Sequence, residues 1–274
     1  MLFNDYCIKL STIFSSNNWL SDEFDNTSLE KAMRLGSKLT DEERELLIYL
    51  FNHYVQIPPS QYLKRILHVL NAVPTQSIEQ IQELYIVPLK AANEIMLPKS
   101  SDFVIGFFKH PLVMSSRIFD NKKIKITSMK QLSAEIGESS DKKIMLVDDF
   151  SGSGDTIISC MDYITNVKKI PQEKVIVLLL ACMKEGFARI KAMGYEIYCD
   201  YIQNKGISSI QNIKQRSDFT KLMNDIEKKY NIEEKWHFGY KESESLITLI
   251  RTPNNTFPVF WDSSKVENAP FKRN

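Results

Sequence analysis

The sequence has little of what marks secreted, membrane-spanning or nucleic-acid-binding chains. It contains only four cysteines, with no close pair at metal-binding spacing, which fits a reduced cytoplasmic setting. Its formal net charge is +1, so charge gives no indication of nucleic-acid binding. The longest aliphatic run, residues 175–183, is too short to span a bilayer, and no basic start precedes an apolar core. We therefore expect a cytoplasmic protein without a membrane segment.

The chain nevertheless has the composition of an ordinary globular protein, and its first part reads as helical. With 274 residues, 43% hydrophobic and 25% charged, it is long enough to bury a proper core. Thr40 and Glu43 form a capping-box pattern ahead of apolar residues at helical spacing. Further helices are predicted around residues 62–70 and, after Ser77, up to about residue 95. We expect a helical N-terminal region, residues 1–75, packed on a domain formed by residues 76–274.

The rest of the chain alternates between short apolar runs and amphipathic segments. This pattern predicts an α/β fold with a mostly parallel sheet flanked by helices, followed by a small C-terminal subdomain. Strands are predicted at residues 103–108, 144–147, 175–182 and 195–201. Helices are predicted at residues 156–167, 187–193 and 210–230. Three further strands are expected in the tail, at residues 236–240, 246–250 and 256–261.

Residues 143–156 carry the strongest chemical signal in the chain. An apolar run ends in Asp148 and Asp149, and a turn of small residues then leads into a helix start. Such a turn directs backbone N–H groups at one point, where an anion is favoured. The two carboxylates can accept hydrogen bonds from the vicinal hydroxyls of a ribose. The segment thus reads as a ribose-5-phosphate clamp made of Asp148, Asp149, Ser151, Gly152, Ser153, Gly154, Asp155 and Thr156, and we call these residues the clamp.

Other interpretations of the clamp fit less well. A Walker A loop needs Lys followed by Ser or Thr after its last glycine, and this loop has Asp155-Thr156. A dinucleotide fingerprint needs a third glycine and a later acidic residue. A receiver domain, in which Asp200 would be a later acid, has no use for a phosphate-binding turn. A purely structural turn remains an alternative, although it does not need two adjacent aspartates.

At these residues the chain resembles the type I phosphoribosyltransferases. Their signature is an apolar strand, two acidic residues and a loop ending in Thr/Ser-Gly-x-Thr, which Val147 to Thr156 match. The resemblance implies binding of phosphoribosyl pyrophosphate (PRPP), with Asp148 and Asp149 at the ribose hydroxyls and residues 151–156 around the 5′-phosphate. It also implies Mg²⁺ held through PRPP rather than by a direct protein site.

The tail resembles a narrower group within this superfamily. Residues 253–261, together with Phe238-Gly239-Tyr240 and the late Arg273, look like the closing segment of a phosphoribosyltransferase-like family linked to prokaryotic conflict and anti-phage systems, some of them retron-associated. That resemblance implies a defence effector with a possible protein partner, and a homo-oligomer is a further possibility. As packing elements, Pro253-Asn254-Asn255 form a turn that Trp261 anchors.

The expected reaction is displacement of pyrophosphate from ribose C1 by a nitrogen nucleophile. Such a step needs cations for the departing pyrophosphate, and we expect these to be Lys109 and Arg117, with Lys122, Lys123 and Lys125 in a lid. A clear second glycine-containing pyrophosphate loop is missing. Two functions therefore stay open: an enzyme that transfers phosphoribose to an unknown acceptor, which is favoured, and a non-catalytic PRPP or nucleotide sensor. His110 and His237 are expected to be structural.

Overall fold

In a computed structural model of the protein, residues 1–20, 27–271 and Arg273 are described. The chain divides into two compact units. Unit 1 comprises Met1–Pro58 and Asn204–Asn274, and unit 2 comprises Pro59–Gln203. The boundary expected after residue 75 does not coincide with this division, because the N-terminal helices share one core with the end of the chain. Among the described residues, no helix combines the length and apolar character needed to cross a membrane.

Unit 2 is built on a five-stranded sheet in which every neighbouring pair of strands is parallel. The strands are β2 (Glu83–Pro88), β3 (Lys123–Ile126), β4 (Lys142–Ser151), β5 (Val175–Met183) and β6 (Glu196–Gln203), in the order β3-β2-β4-β5-β6. The helices of this unit are α4 (Pro59–Asn71), α5 (Ser100–Phe107), α6 (Pro111–Met114), α7 (Glu135–Glu138), α8 (Asp155–Asp162) and α9 (Lys184–Ala192). The predicted parallel α/β fold is confirmed.

The central strands β4 and β5 are apolar on both faces because helices cover each side. Ile144 and Leu146 point into a core that includes Ile157 and Met161 of α8. Residues on the opposite face of the sheet are covered by α4, which packs on β5 and β6, and by α5, which packs on β2 and β4. Every residue of β5 is buried, as expected for a strand in the middle of a parallel sheet.

Unit 1 is mainly helical and has a core rich in aromatic side chains. Its helices are α1 (Phe3–Ser16), α2 (Ser28–Ser37), α3 (Asp41–Asn52) and α10 (Ile213–Lys229), and a two-residue strand, β1 (Val55–Gln56), pairs in parallel with β7 (Ile247–Thr248). The predicted capping box at Thr40 is present at the start of α3. Phe14, Phe51, Tyr54, Phe260 and Phe271 pack together, so that the last segment of the chain closes the core of the first helices.

Four predicted elements are wrong. Residues 103–107 belong to helix α5, and Phe108 is its C-cap, so this segment is not a strand; Val104 and Phe108, about one helical turn apart, are buried, and Asp102 caps the helix start at Lys99. Residues 77–95 contain strand β2 rather than a helix, because Leu84, Ile86 and Val87 pair beside β4. In the tail, only Ile247–Thr248 forms a strand, whereas Glu234–Trp236 and Pro258–Phe260 are single 3₁₀ turns.

Candidate active site

The two acidic residues of the clamp lie in the second half of β4, the strand between β2 and β5. Open α/β sheets bind ligands beyond the carboxyl ends of their strands, and β4 ends only two residues after Asp149. Both acidic residues are nearly inaccessible, with exposed fractions of 9% and 4%. Buried acids at the end of a central strand need hydrogen-bond partners or a bound ligand.

Each carboxylate has a described polar neighbour. The backbone N–H of Asp149 donates to Oδ1 of Asp148 at 2.9 Å, and Oγ of Ser100 lies 3.5 Å from the same atom. The hydroxyl of Tyr62, which α4 presents to the sheet, donates to Oδ2 of Asp149 at 3.2 Å. Burial, followed by the charge of Asp149, raises the pKa of Asp148 well above its usual value. A ligand that donates hydrogen bonds or carries positive charge would therefore stabilise the ionised pair.

The turn after β4 has a backbone conformation that requires glycine. Gly154 has φ +84°, in the left-handed region, and directly precedes α8. The N–H of Asp155, at the start of α8, lies 3.4 Å from Oγ of Ser153, and the positive end of the helix dipole lies at this turn. The predicted cup of small residues at a helix start is thus present, with Ser151, Gly152 and Gly154 buried and Thr156 exposed.

Helix α9 packs directly against the turn of the clamp. A Cβ atom on Gly186 would lie only 2.0 Å from the carbonyl oxygen of Gly152, so α9 and the turn touch through their backbones. Arg189 donates to the carbonyl oxygen of Ser153 at 3.0 Å and to Oδ1 of Asp155 at 2.8 Å. The Ser153 hydroxyl also donates to Asp155. The negative charge that Asp155 brings to the cup is therefore paired with a guanidinium group.

A second loop lies beside the clamp because β2 is the neighbour of β4. Pro88 pairs with Val147, and the N–H of Leu89 donates to the carbonyl oxygen of Val147, so Lys90 follows at the level of the two acids. Lys90 is 8% exposed, and its ammonium lies 2.8 Å from Oδ2 of Asp102. Sequence analysis missed this cation because it placed residue 90 in a helix. The run Tyr85-Ile86-Val87 before Pro88 is the strand signal that would have located it.

The structure does not place Lys109 and Arg117 at a strand end. Lys109 is an exposed residue just after α5, and Arg117 is exposed and donates to the hydroxyl of Thr75 at 3.2 Å. Two of the expected lid lysines, Lys123 and Lys125, belong instead to the edge strand β3, where both ammonium groups pair with Glu83. Lys109 and Arg117 were expected to lie near a strand over residues 103–108, and residues 103–107 form part of helix α5 instead.

The donor set suits a magnesium ion that a phosphorylated ligand brings with it. Within the described parts of the chain, no three His, Cys, Asp or Glu side chains form a metal-binding group. Asp148 and Asp149 supply two adjacent carboxylates, and Mg²⁺ in phosphate sites commonly relies on one or two carboxylates, water and substrate oxygens. The residues present therefore fit an ion held mainly by substrate oxygens.

The chain is similar to several solved structures and matches one family model. Three similar solved structures are the orotate phosphoribosyltransferase of Aeropyrum pernix (14% identity, 52% of this chain and 70% of that chain, TM-score 0.32), the APRTase of Giardia lamblia complexed with 9-deazaadenine (10%, 53% and 78%, 0.32) and the xanthine-guanine-hypoxanthine phosphoribosyltransferase of Helicobacter pylori (15%, 56% and 86%, 0.30). No curated protein matches the sequence. The PRTase-CE family model matches residues 18–273, nearly the whole length. The chain therefore belongs to the PRTase-CE family.

Proposed function

We propose that the protein binds PRPP at the clamp and transfers its phosphoribosyl group to an acceptor with release of pyrophosphate. The observation that carries this proposal is the adjacency of two buried carboxylates, Asp148 and Asp149, to a glycine-dependent turn at the start of α8. A phosphate-binding turn alone does not need the carboxylates, and a metal site alone does not need the turn. A ribose 5-phosphate uses both.

The residues of the clamp divide the work of binding. Asp148 and Asp149 accept hydrogen bonds from the ribose hydroxyls, and the Tyr62 hydroxyl orients the Asp149 carboxylate by donating to its Oδ2. The N–H groups of residues 151–156 hold the 5′-phosphate, supported by the dipole of α8. Holding the sugar in this way aligns C1 with an incoming nitrogen nucleophile and reduces the entropic part of the barrier. A buried site also limits attack by water.

The departing pyrophosphate requires positive charge. Lys90 is the candidate that the sheet brings level with the clamp, and Lys109 and Arg117 remain predictions for the same role. When bound with PRPP, Mg²⁺ would be held by PRPP oxygens with Asp148 and Asp149 nearby, and it would neutralise charge that develops on pyrophosphate. The residues of the protein then need only position the two ends of the substrate.

Pyrophosphate release and PRPP binding should be measured side by side on the purified protein. Asp149→Asn and Gly154→Val are expected to lose binding, because the first removes a charge and the second forces a branched residue into a left-handed backbone. Asp162→Asn, an exposed aspartate in the last turn of α8, is the matched control and should bind as the wild type does. Unchanged affinity in both clamp variants would refute the proposal.

The alternative function is a sensor that binds PRPP or a nucleotide without reaction. The same measurements separate it from the enzyme, since a sensor binds PRPP but releases no pyrophosphate with any base, nucleotide or macromolecule tried. The burial of both carboxylates is compatible with such a role, because ligand entry must then rearrange their surroundings. A defence role, with a protein partner in the cytoplasm, stays a prediction from the resemblance of the tail.

A further inference from the structure

Unit 1 contains a groove that the clamp does not account for. It has a volume of about 820 Å³ and runs between helix α10 and the segment that extends from Glu234 to Glu242. All of its lining residues belong to unit 1. The volume lies within the usual range of small-molecule sites. This groove is therefore a candidate second binding site, and its existence does not depend on the proposed function of the clamp.

The α10 wall of the groove is a polar, positively charged stripe. Residues three and four apart share one face of a helix, and six residues of α10 line the groove. One is the exposed Ile213, and the other five are polar: Arg216, Ser217, Thr220, Lys221 and Asn224. The other face of α10 is the one packed into the core of unit 1, through Met223 and Ile226. The stripe is thus directed away from the core, into the groove.

Arg216 and Lys221 are the two cations of this wall, and neither pairs with a carboxylate in the described parts of the chain. The recorded ion pairs of α10 involve other residues, Lys229 with Glu43 and Glu227 with His237. The two residues lie five positions apart on α10, with hydroxyl and amide donors on the same wall. A guanidinium, an ammonium and such donors can all bind a phosphate group. The α10 wall is therefore complementary to an anion.

The opposite wall is held in an uncommon backbone conformation. Phe238 and Glu242, which line the groove, have φ +55° and +51°, and Lys241 and Glu244 between and beside them are also left-handed. Non-glycine residues rarely adopt this conformation, and it persists only where surrounding contacts enforce it. Here both oxygens of the fully buried Glu227 carboxyl group lie within hydrogen-bond distance of the Phe238 N–H, at 2.9 and 3.1 Å.

A second buried carboxylate fixes the remaining end of the groove. Glu244 accepts the N–H groups of Ile207 and Ser208, each at 2.7 Å, and Ser208 lines the groove. Burial of two acidic side chains, Glu227 and Glu244, costs free energy, and a simple turn of the chain does not require it. These buried hydrogen bonds hold the half-buried ring of Phe238 and the carboxylate of Glu242 at the groove.

We propose that this groove binds a nucleoside 5′-phosphate. Its phosphate would pair with Arg216 and Lys221, its base would lie against the ring of Phe238, and Glu242 would accept hydrogen bonds from sugar hydroxyls or a base amino group. This combination of a cationic wall, an aromatic ring and carboxylate acceptors suits a nucleotide better than a simple anion, which would have no use for the acidic wall. His237, expected from sequence to be structural, also lines the groove.

The test separates this groove from the clamp. Binding of AMP, GMP, CMP and UMP is measured by calorimetry on full-length protein carrying Asp149→Asn, which disables the clamp but keeps an oxygen that can accept the Tyr62 hydroxyl. At least one nucleotide is expected to bind this protein, and its parent nucleoside, which lacks phosphate, is expected to bind at least about tenfold more weakly, a difference of about 1.4 kcal/mol.

Variants of the α10 wall then decide the location. Adding Arg216→Ala and Lys221→Ala should weaken nucleotide binding by about tenfold or more, with little change in melting temperature, because Lys221 is exposed and Arg216 is only half-buried. Lys214→Ala is the matched control, an exposed lysine of α10 outside the groove, and should leave the affinity unchanged. Absence of binding by all four nucleotides at millimolar concentration overturns the proposal. So does binding that the double variant leaves intact, or equal binding of nucleoside and nucleotide.

Discussion

Replacing Glu227 by Gln is expected to remove a large part of the pH dependence of folding stability. This carboxyl group on α10 is fully buried, and burial is the largest cause that raises its pKa from 4.5 to about 8. The charge of Glu244 acts in the same direction, whereas the hydrogen bond from the Phe238 N–H opposes it. The folded protein therefore keeps a proton at Glu227 that the unfolded chain releases.

The sign and the size follow from this difference in proton binding. A group with a raised pKa contributes stability that is fully present below pH 4.5 and is lost as the pH rises through about 8. At about 1.4 kcal/mol for each pH unit, the loss across that interval amounts to about 5 kcal/mol of unfolding free energy. A loss of this size is comparable to the whole stability of many domains. The glutamine carries no charge at any pH and avoids it.

Urea unfolding of both proteins at about pH 5 and about pH 9 measures the effect through the difference between their unfolding free energies. The stability of Glu227→Gln relative to the wild type should rise by several kcal/mol between these two conditions. His237, whose Nδ1 lies 3.9 Å from Oε2 of Glu227, is a titratable neighbour that could also make the stability depend on pH. If Glu227 is the cause, His237→Asn should show the same change of unfolding free energy with pH as the wild type. A relative stability that does not change with pH would refute the reasoning.

Three further predictions concern the clamp. Gly186→Ala should lower the unfolding free energy by about 1–3 kcal/mol and weaken PRPP binding, because its Cβ would lie 2.0 Å from a backbone oxygen. Gly106→Ala is the control, since Gly106 lies inside α5 with open space around it. It should be neutral or stabilising in thermal melts of both variants. Asp148→Asn should raise the melting temperature at neutral pH and abolish stabilisation by PRPP; a lower melting temperature would contradict the assigned cost of its buried charge. Tyr62→Phe should weaken PRPP binding by about 1 kcal/mol in calorimetry with little change in melting temperature, and unchanged affinity would remove its proposed orienting role.

Those elements whose signal is contiguous in sequence were predicted well. Strands β4 and β5 lie where apolar, β-branched runs end in polar residues, since burial on both faces of a parallel sheet leaves no polar position in such a run. The edge strand β6, which contains Glu196 and Asp200, was also located by its sequence. The cup that follows β4 was readable because strand, turn and helix start are consecutive. The cap at Thr40 was equally local.

The failures have one physical origin, the ambiguity of short apolar runs. Residues 103–108 are apolar enough for a strand, and only their packing against β2 and β4 makes them a helix that buries Val104 and Phe108. Residues 83–88 carried a strand signal that a nearby capping pattern concealed. Lys90 was therefore not predicted to lie near the clamp, because its place at the end of the sheet depends on recognising the strand that ends two residues before it.

The sequence by itself determined the parallel α/β class and the order of strand, turn and helix start over residues 143–156, because each of these depends on residues close along the chain. Only the tertiary structure decided which distant residues surround them. The pairing of β2 with β4 brings Lys90 level with Asp149, and the packing of α4 on the sheet brings Tyr62 to the same carboxylate. The groove of unit 1 is of the same kind, since it lies between α10 and the segment after Glu234, and the buried Glu227 of α10 bonds the Phe238 N–H of that segment. Strand order and packing bring such residues together, and local sequence patterns do not encode them.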